Sequence, residues 1–354
     1  MIWRNRWSAV FLLIGLIVVL NLIIIRLYVP GSGIASLRAA DRVHFQREGF
    51  DVTALSHTSV QRLFFLPFLL DRWGGPLSLA VILASSEEES FLDQFLAEHP
   101  LPSRLTICRF LTSKPSEYPY NRLRNIAMKH VTTSHFWVMD MDMWPSDNAY
   151  KALISLDARY LNDDYLAVIV PSFQYMKNMR DCKGFEKCVN SVIPYIPRTM
   201  LELENCLTVR MCEEFRKDYF VHNYFTPEWY KHNSRPLYFV SCFKSYKQEP
   251  YVMVKMSPHL PLFDERFVNY GKDKISWIEH LRYTGYKFAV LKSAFAIDVP
   301  HPLSQHARKF YEFVRNKGAA KYDMNVVYNA FKKELEATPD RSVVYICDQS
   351  GGTI

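Results

Sequence analysis

From Pro76 onward, continuous apolar runs alternate with amphipathic stretches along most of the chain. LSLAVILA (Leu77 to Ala84) is unbroken apolar, as a strand buried on both faces should be. SSEEESFLDQFLAEH follows with its acidic residues at the start, where the helix dipole favours them, so a helix is predicted. RLTICRFLT (Arg104 to Thr112) predicts a second strand, NRLRNIAMKHV (Asn121 to Val131) a second helix and SHFWVMD (Ser134 to Asp140) a third strand. Ala149 to Leu161 reads as a helix and YLAVIV (Tyr165 to Val170) as a strand. Residues 171–250 are the least periodic part. Regularity returns with YVMVKM (Tyr251 to Met256), a helix over Lys274 to Tyr283 with Ile275, Ile278 and Leu281 on one face, and the strand KFAVL. KYDMNVVYNAFKKELEA is an amphipathic helix predicted to pack on the sheet. Strands separated by helices of this length predict an α/β fold built on a mixed, mainly parallel sheet flanked by helices. No GxGxxG follows the first strand, so a dinucleotide fingerprint is absent.

The N-terminus has a different pattern. Trp7 to Ile25 is 19 residues without a charge, with Arg4 and Arg6 before it and Arg26 after. As a helix it spans roughly 28 Å, close to the hydrocarbon thickness of a bilayer. A cleaved signal peptide has a shorter apolar core, so an uncleaved anchor is favoured, although the small residues of VPGSGIAS leave cleavage open. The expected organisation is a cytoplasmic tail at 1–6, an N-terminal transmembrane helix at 7–26, a stem at 27–72 with an apolar helical stretch around Val60 to Leu70, and a lumenal domain at 73–354.

Composition narrows the class. Hydrophobic residues make up 49% of the 354 and aromatics 15%, which excludes general disorder. Mean hydropathy is −0.11, which argues against a polytopic membrane protein. The net charge of +7 comes from scattered residues that form no basic stripe, so no nucleic-acid partner is expected. Cys182 and Cys188, then Cys206 and Cys212, each lie six positions apart in the irregular segment, where disulfides would restrain it. Zinc-type CxxC spacing is missing. With Cys108, Cys242 and Cys347 the count is seven, so at least one thiol is left over or intermolecular.

The most informative short segment is WVMDMDMWPS. Asp140 and Asp142 follow a buried strand with one residue between them, at the carboxyl end where open α/β sheets bind ligands. Such a pair can hold a hard divalent ion that bridges to a diphosphate. A solvated turn or helix cap is the plainer alternative for a lone Asp-x-Asp.

The pieces YPYNRLRNIAMKHVTTSHFWVMDMDMWPS, VPSF, HNYFTPEW, EPYVMVK, FDERFVNYGKDKISWIEHLRYTGYKFAVL and AFAIDVPHP occur in that order. Together they resemble glycosyltransferase family 49, the LARGE-type and β-1,4-glucuronyltransferase group, over residues from about 73 to 335. The resemblance implies a GT-A type nucleotide-sugar-binding fold in a type II Golgi membrane protein that uses a UDP-sugar and manganese and inverts the anomeric centre. It implies a glycan or glycoprotein as acceptor, with homo- or hetero-oligomers of such enzymes as an open possibility. Asp140 and Asp142 would be the DxD pair, and His301, in DVPHP, would complete the metal shell. Asn121, Arg124 and Asn125 are candidates to contact uracil, ribose or diphosphate; helix-end hydrogen bonding is the alternative.

Inversion needs a base for the acceptor hydroxyl, and FDERFVNYGKDK supplies Asp264, Glu265 and Asp273. The family's usual Gly-Trp-Asn-Lys is here Gly-Lys-Asp-Lys, which leaves donor, acceptor and base open. The final VPHPLS also departs from the usual MPHAPS. Arg124 or Lys274 is a candidate partner for a uronic carboxylate or diphosphate. His222, Trp229 and Tyr230 are either acceptor-cleft or packing residues. Glucuronic acid is the donor the resemblance favours, with N-acetylglucosamine as runner-up. The competing expectation is a catalytically inactive, membrane-tethered glycan-binding pseudotransferase. A metal phosphohydrolase lacks its second ligand cluster.

Overall fold

The computed structural model describes residues 49–99, 101–177, 184–231, 235–303, 308, 311–312 and 324–347. The expected anchor over Trp7 to Ile25 lies outside them. Among the described residues no helix is long and apolar enough to cross a membrane.

The first strand, β1 (Val52–Ser59), is buried almost throughout and pairs in parallel with β2 (Leu77–Leu83) and with β4 (His135–Val138). The helix Ser86–Glu98 follows β2, with Ser85 Oγ accepting from the Glu88 N–H and Glu87, Glu88 and Glu89 in its first turn. β3 (Leu105–Leu111) adds to the far side of β2. The helix Tyr120–Lys129 leads from β3 to β4 and packs on β1 and β2.

After β5 (Met143–Pro145), the range expected as one helix is two, Ala149–Ile154 and Ala158–Leu161. Asp157 breaks it, because its carboxylate caps the second piece by accepting from the Arg159 N–H. β6 (Leu166–Ile169), β7 (Ser172–Tyr175) and β8 (Cys212–Glu214) come next, then β9 (Leu237–Phe239), β10 (Cys242–Phe243) and β11 (Val252–Lys255). The helix Asp273–Thr284 precedes β12 (Lys287–Leu291), β13 (Ala296–Asp298), the helix Met324–Glu336 and β14 (Tyr345–Ile346).

The main sheet has the order β3-β2-β1-β4-β11-β6-β12-β9. Only β11 and β9 run antiparallel to their neighbours, so the sheet is mixed and mainly parallel, as expected. A second sheet, β5-β13-β7-β8, draws three of its strands from connections that leave the main one.

Two expectations shift. Residues 27–72 read as a stem because Gly and Ser come first and polar residues next, before the apolar helical stretch. Its later half holds β1, which sits inside the sheet, so the folded unit begins well before residue 73. The apolar stretch around Val60 to Leu70 is helical, as a 3-10 turn over Val60–Phe65 and an α-helix over Leu66–Arg72. The C-terminal helix packs on the helix Asp273–Thr284 instead of directly on the sheet. Phe331 meets Phe267 and His280 edge-on, and Lys332 reaches Glu279.

The pair Cys206–Cys212 is bonded, and a second disulfide joins Cys242 to Cys347 beside the β10–β14 pairing. Cys188 is also disulfide-bonded, while Cys182 lies outside the described residues. The free thiol is Cys108, buried in β3.

Candidate functional site

Asp140 and Asp142 lie in the turn between β4 and β5, which the Met143 N–H closes by donating to the Asp140 carbonyl. Antiparallel pairing of β5 with β13 sets Asp298 opposite Met143, and the Val299 N–H donates to the Asp142 carbonyl at 2.9 Å. Strand register therefore brings Asp298 beside Asp142, and His301 follows three positions later. One ligand atom from each of Asp142, Asp298 and His301 lies within 4.8 Å of the others. His301 Nδ1 donates to the Val299 carbonyl at 2.7 Å, which turns Nε2 toward Asp142 Oδ2 at 3.3 Å. Arg62 donates to Asp142 Oδ2 at 2.8 Å and also meets His301 Nε2.

Burial pushes the Asp298 carboxyl well above the usual range, and the neighbouring Asp142 charge adds to the effect. Burial opposes ionisation of Asp142 too, but Arg62 and then His301 outweigh it and hold that carboxyl below its ordinary value. Burial and then Arg62 push the His301 imidazole below its ordinary value, which favours the neutral ring that a metal ligand needs. Two crowded carboxylates and an imidazole already oriented through its other nitrogen suit a divalent cation.

Asp140 faces other partners. Its Oδ2 accepts from Lys274 Nζ at 2.5 Å and from the Tyr251 hydroxyl at 2.8 Å, and its Oδ1 accepts from Arg124 at 3.5 Å. His57 Nε2 stands 3.9 Å from Oδ1. Burial would raise the Asp140 carboxyl, yet Lys274 and then Arg124 outweigh it and hold it far below the usual range. His57 is pushed down to about 3 by burial and then by Arg124, so it is neutral here.

Arg124 is fully buried. It donates from Nη1 to Asp273 Oδ2 at 2.7 Å and to Asn121 Oδ1 at 2.9 Å. Asn121 Nδ2 donates to the Asp264 and Asp273 carbonyls, and Asn125 Nδ2 donates to the Phe263 carbonyl and to Glu265. The polar face of the helix Tyr120–Lys129 thus clamps the segment 263–273 against the sheet.

Arg62, Arg124, Asp140, Asp142, Asp298 and His301 line a cavity of about 910 Å³, bounded also by His57, Tyr118 and Tyr120 and by Arg216, Glu249 and Tyr251. A smaller one of about 510 Å³, lined by Phe68, Trp144 and Tyr195, contains none of the clustered carboxylates.

Residues 106–338 match the family described as "Glycosyl-transferase for dystroglycan". The chain belongs to this family. It is 30% identical over 266 residues to the xylosyl- and glucuronyltransferase LARGE1 of Mus musculus, covering 73% of this chain and 32% of that protein. It is 28% identical over 262 residues to the glycosyltransferase-like protein gnt14 of Dictyostelium discoideum, covering 72% and 38%. The chain therefore spans about a third of the length of the curated relatives it matches. Among solved structures it is similar to GalNAc-T7 with UDP, GalNAc and Mn2+, at 11% identity and a TM-score of 0.41, over 84% of this chain and 53% of that one.

Within this family member, the residues singled out from sequence divide by position. Asp140, Asp142, Arg124, Asp273 and His301 meet in the large cavity. Asp140 is not in the group able to hold a metal, because cations already surround it; Asp298 takes that place. Asp264 is bound by Arg266, and Glu265 is half-exposed against Asn125 and Arg122, so neither faces the cavity. Asn121 and Asn125 are buried clamps behind the wall. His222 stacks on Tyr251, and Trp229 donates to the Leu291 carbonyl, both as packing residues. Tyr230 is exposed and bonds to Glu214. Sequence reasoning missed Arg62, Arg216, Glu249 and Asp298. Of these, Asp298 had a local signal, three positions before His301 in AFAIDVPHP, and Glu249 opens the piece EPYVMVK.

Proposed function

We propose that this glycosyltransferase-family chain transfers a sugar from a UDP-sugar to a glycan acceptor, with inversion and with manganese. The observation that carries the proposal is the convergence of Asp142, Asp298 and His301 beside a wall of buried cations in one large cavity. In this reading Asp142, Asp298 and His301 would hold the metal, which when bound would supply positive charge for the diphosphate leaving group. Arg62, which spans Asp142 and His301, is then freed to face a phosphate. Lys274 and Arg124 hold Asp140 in place to accept from a ribose hydroxyl, and Asn121 and Asn125 keep Arg124 and the 263–273 wall in place. Most of the rate enhancement comes from positioning and from preorganised charge.

Glucuronic acid is the donor we favour, since the cavity wall is rich in cations and the LARGE relatives are named for xylosyl and glucuronyl transfer. We place the chain in the Golgi membrane as a single-pass type II protein, with a short tail, the anchor at 7–26 and a lumenal catalytic domain.

The test is a transfer assay on the full chain with a panel of UDP-sugars and glycan acceptors, run beside Asp142→Asn. The expected result is manganese-dependent transfer, with kcat at least about 100-fold lower in the variant and thermal stability retained. Absence of transfer from every UDP-sugar, or full activity in Asp142→Asn, overturns the proposal. The former outcome together with EDTA-insensitive glycan binding would instead favour a pseudotransferase.

A further inference from the structure

Five carboxylates line the large cavity: Asp140, Asp142, Glu249, Asp273 and Asp298. Four have evident work. Asp140 is bound by Lys274, Tyr251 and Arg124. Asp142 and Asp298 converge with His301. Asp273 has an oxygen taken by the buried guanidinium of Arg124 at 2.7 Å.

Glu249 differs from all of these. It lies just before Pro250 and β11, and its backbone N–H donates to the Val221 carbonyl at 2.8 Å, which fixes the main chain there. Among the described residues no hydrogen bond reaches its carboxylate; its ion contact is Arg216, with Nη1 3.7 Å from Oε1. The side chain is largely buried yet faces the cavity. Burial raises its pKa, with Lys274 and Arg216 pulling it back in part. A carboxylate with an open lone pair, fixed backbone and raised pKa has the properties of a general base near neutral pH.

We propose that Glu249 is the catalytic base, taking the proton of the acceptor hydroxyl as that hydroxyl attacks the donor sugar. This rests on the transferase reading above. The hydroxyl oxygen forms a bond to the anomeric carbon, and the bond from that carbon to the diphosphate oxygen breaks. Its electron pair leaves with UDP, and the proton passes to the Glu249 carboxylate. Arg216 is a positioning residue. Its backbone is left-handed, with φ 47°, and its backbone N–H donates to Gln174 Oε1 at 3.2 Å, so the guanidinium is held beside Glu249 and favours the ionised carboxylate. Asp273, the sequence-based candidate, becomes the anchor of Arg124 instead.

The test compares wild type, Glu249→Gln and Glu249→Asp in the full chain. It measures kcat, the pH profile of kcat, and the affinity for UDP with manganese by calorimetry. Glu249→Gln should lower kcat at least about 100-fold while UDP affinity stays within about twofold. It should also lose the acidic limb of the profile, and Glu249→Asp should restore at least about tenfold of the lost rate. A Glu249→Gln kcat near wild type, an unchanged acidic limb, or UDP affinity lost in step with turnover overturns the assignment. If Glu249→Gln does not fold, Glu249→Asp decides, since a base displaced by one methylene must shift kcat and leave UDP binding intact. Wild type that turns over beside an unimpaired variant sinks the base alone; wild type that binds UDP with manganese in no condition sinks the transferase reading as well.

Discussion

Asp140 and Asp142 are two positions apart, yet one is enclosed by cations and the other turns to Asp298 and His301. Arg124 ties the first of these environments to the 263–273 wall, because two carboxylates share its guanidinium. Removing one partner of a buried ion cluster leaves the others unpaired. Arg124→Ala should therefore cost about 3–5 kcal/mol in a denaturant titration, more than the loss of any exposed pair such as Arg109 with Asp93.

Buried histidines give a pH signature. His135 and His280 are each pushed down to about 4, by burial first and, for His135, by Lys255 next. Between about 6.5 and 4 the unfolded chain binds these protons and the folded chain does not, so stability falls as pH falls through that window. Each group contributes a slope of up to about 1.4 kcal/mol per pH unit, and urea midpoints measured from pH 7.5 to 5 should decline accordingly. Midpoints independent of pH would contradict the burial. The DMD pair and His301 were legible because short motifs carry them. Glu249 opens the piece EPYVMVK, but nothing in that piece marks its carboxylate as facing a cavity, and Arg216 lies in an aperiodic segment with no motif around it.

At the scale of elements, the site depends on one pairing that no periodicity announces. β5 and β13 are three residues each and lie about 150 positions apart in sequence, and their register alone sets Asp298 beside Asp142. The long strands and helices from Leu77 to Val170 were legible because their patterns are strong; β1, VTALSHTS, was missed because its second half is four consecutive polar residues, a pattern that does not read as a buried strand although it is one. The helix Asp273–Thr284 ends at Gly285, whose φ is +101° and whose added Cβ would stand 3.1 Å from the Arg341 carbonyl. Gly285→Ala should destabilise by about 1–2 kcal/mol, read from the shift in denaturation midpoint, since it combines a left-handed backbone with a tight contact. This helix presents Asp273 and Lys274 to the cavity, so kcat should fall along with stability near the transition temperature.

Across the whole molecule, the Cys242–Cys347 bridge closes a loop with a sequence separation of 105 and fixes β14 beside β10. Cys347→Ser should cost about 2–5 kcal/mol, measured as the change in guanidinium midpoint under oxidising conditions, with little change under reducing ones. The mixed sheet and its layers followed from the alternation of strands and helices. The second sheet did not, because its strands are short and join distant parts of the chain. The net charge of +7 has a local use: Arg62, Arg124, Arg216 and Lys274 all line the larger cavity, beside five carboxylates. That balance is the basis for reading the cavity as a metal–diphosphate site. Calorimetric titration of the full chain with UDP, in manganese and again in EDTA, tests this most directly. Saturable binding in manganese that disappears in EDTA is the predicted result; equal binding in both, or none in either, would contradict it.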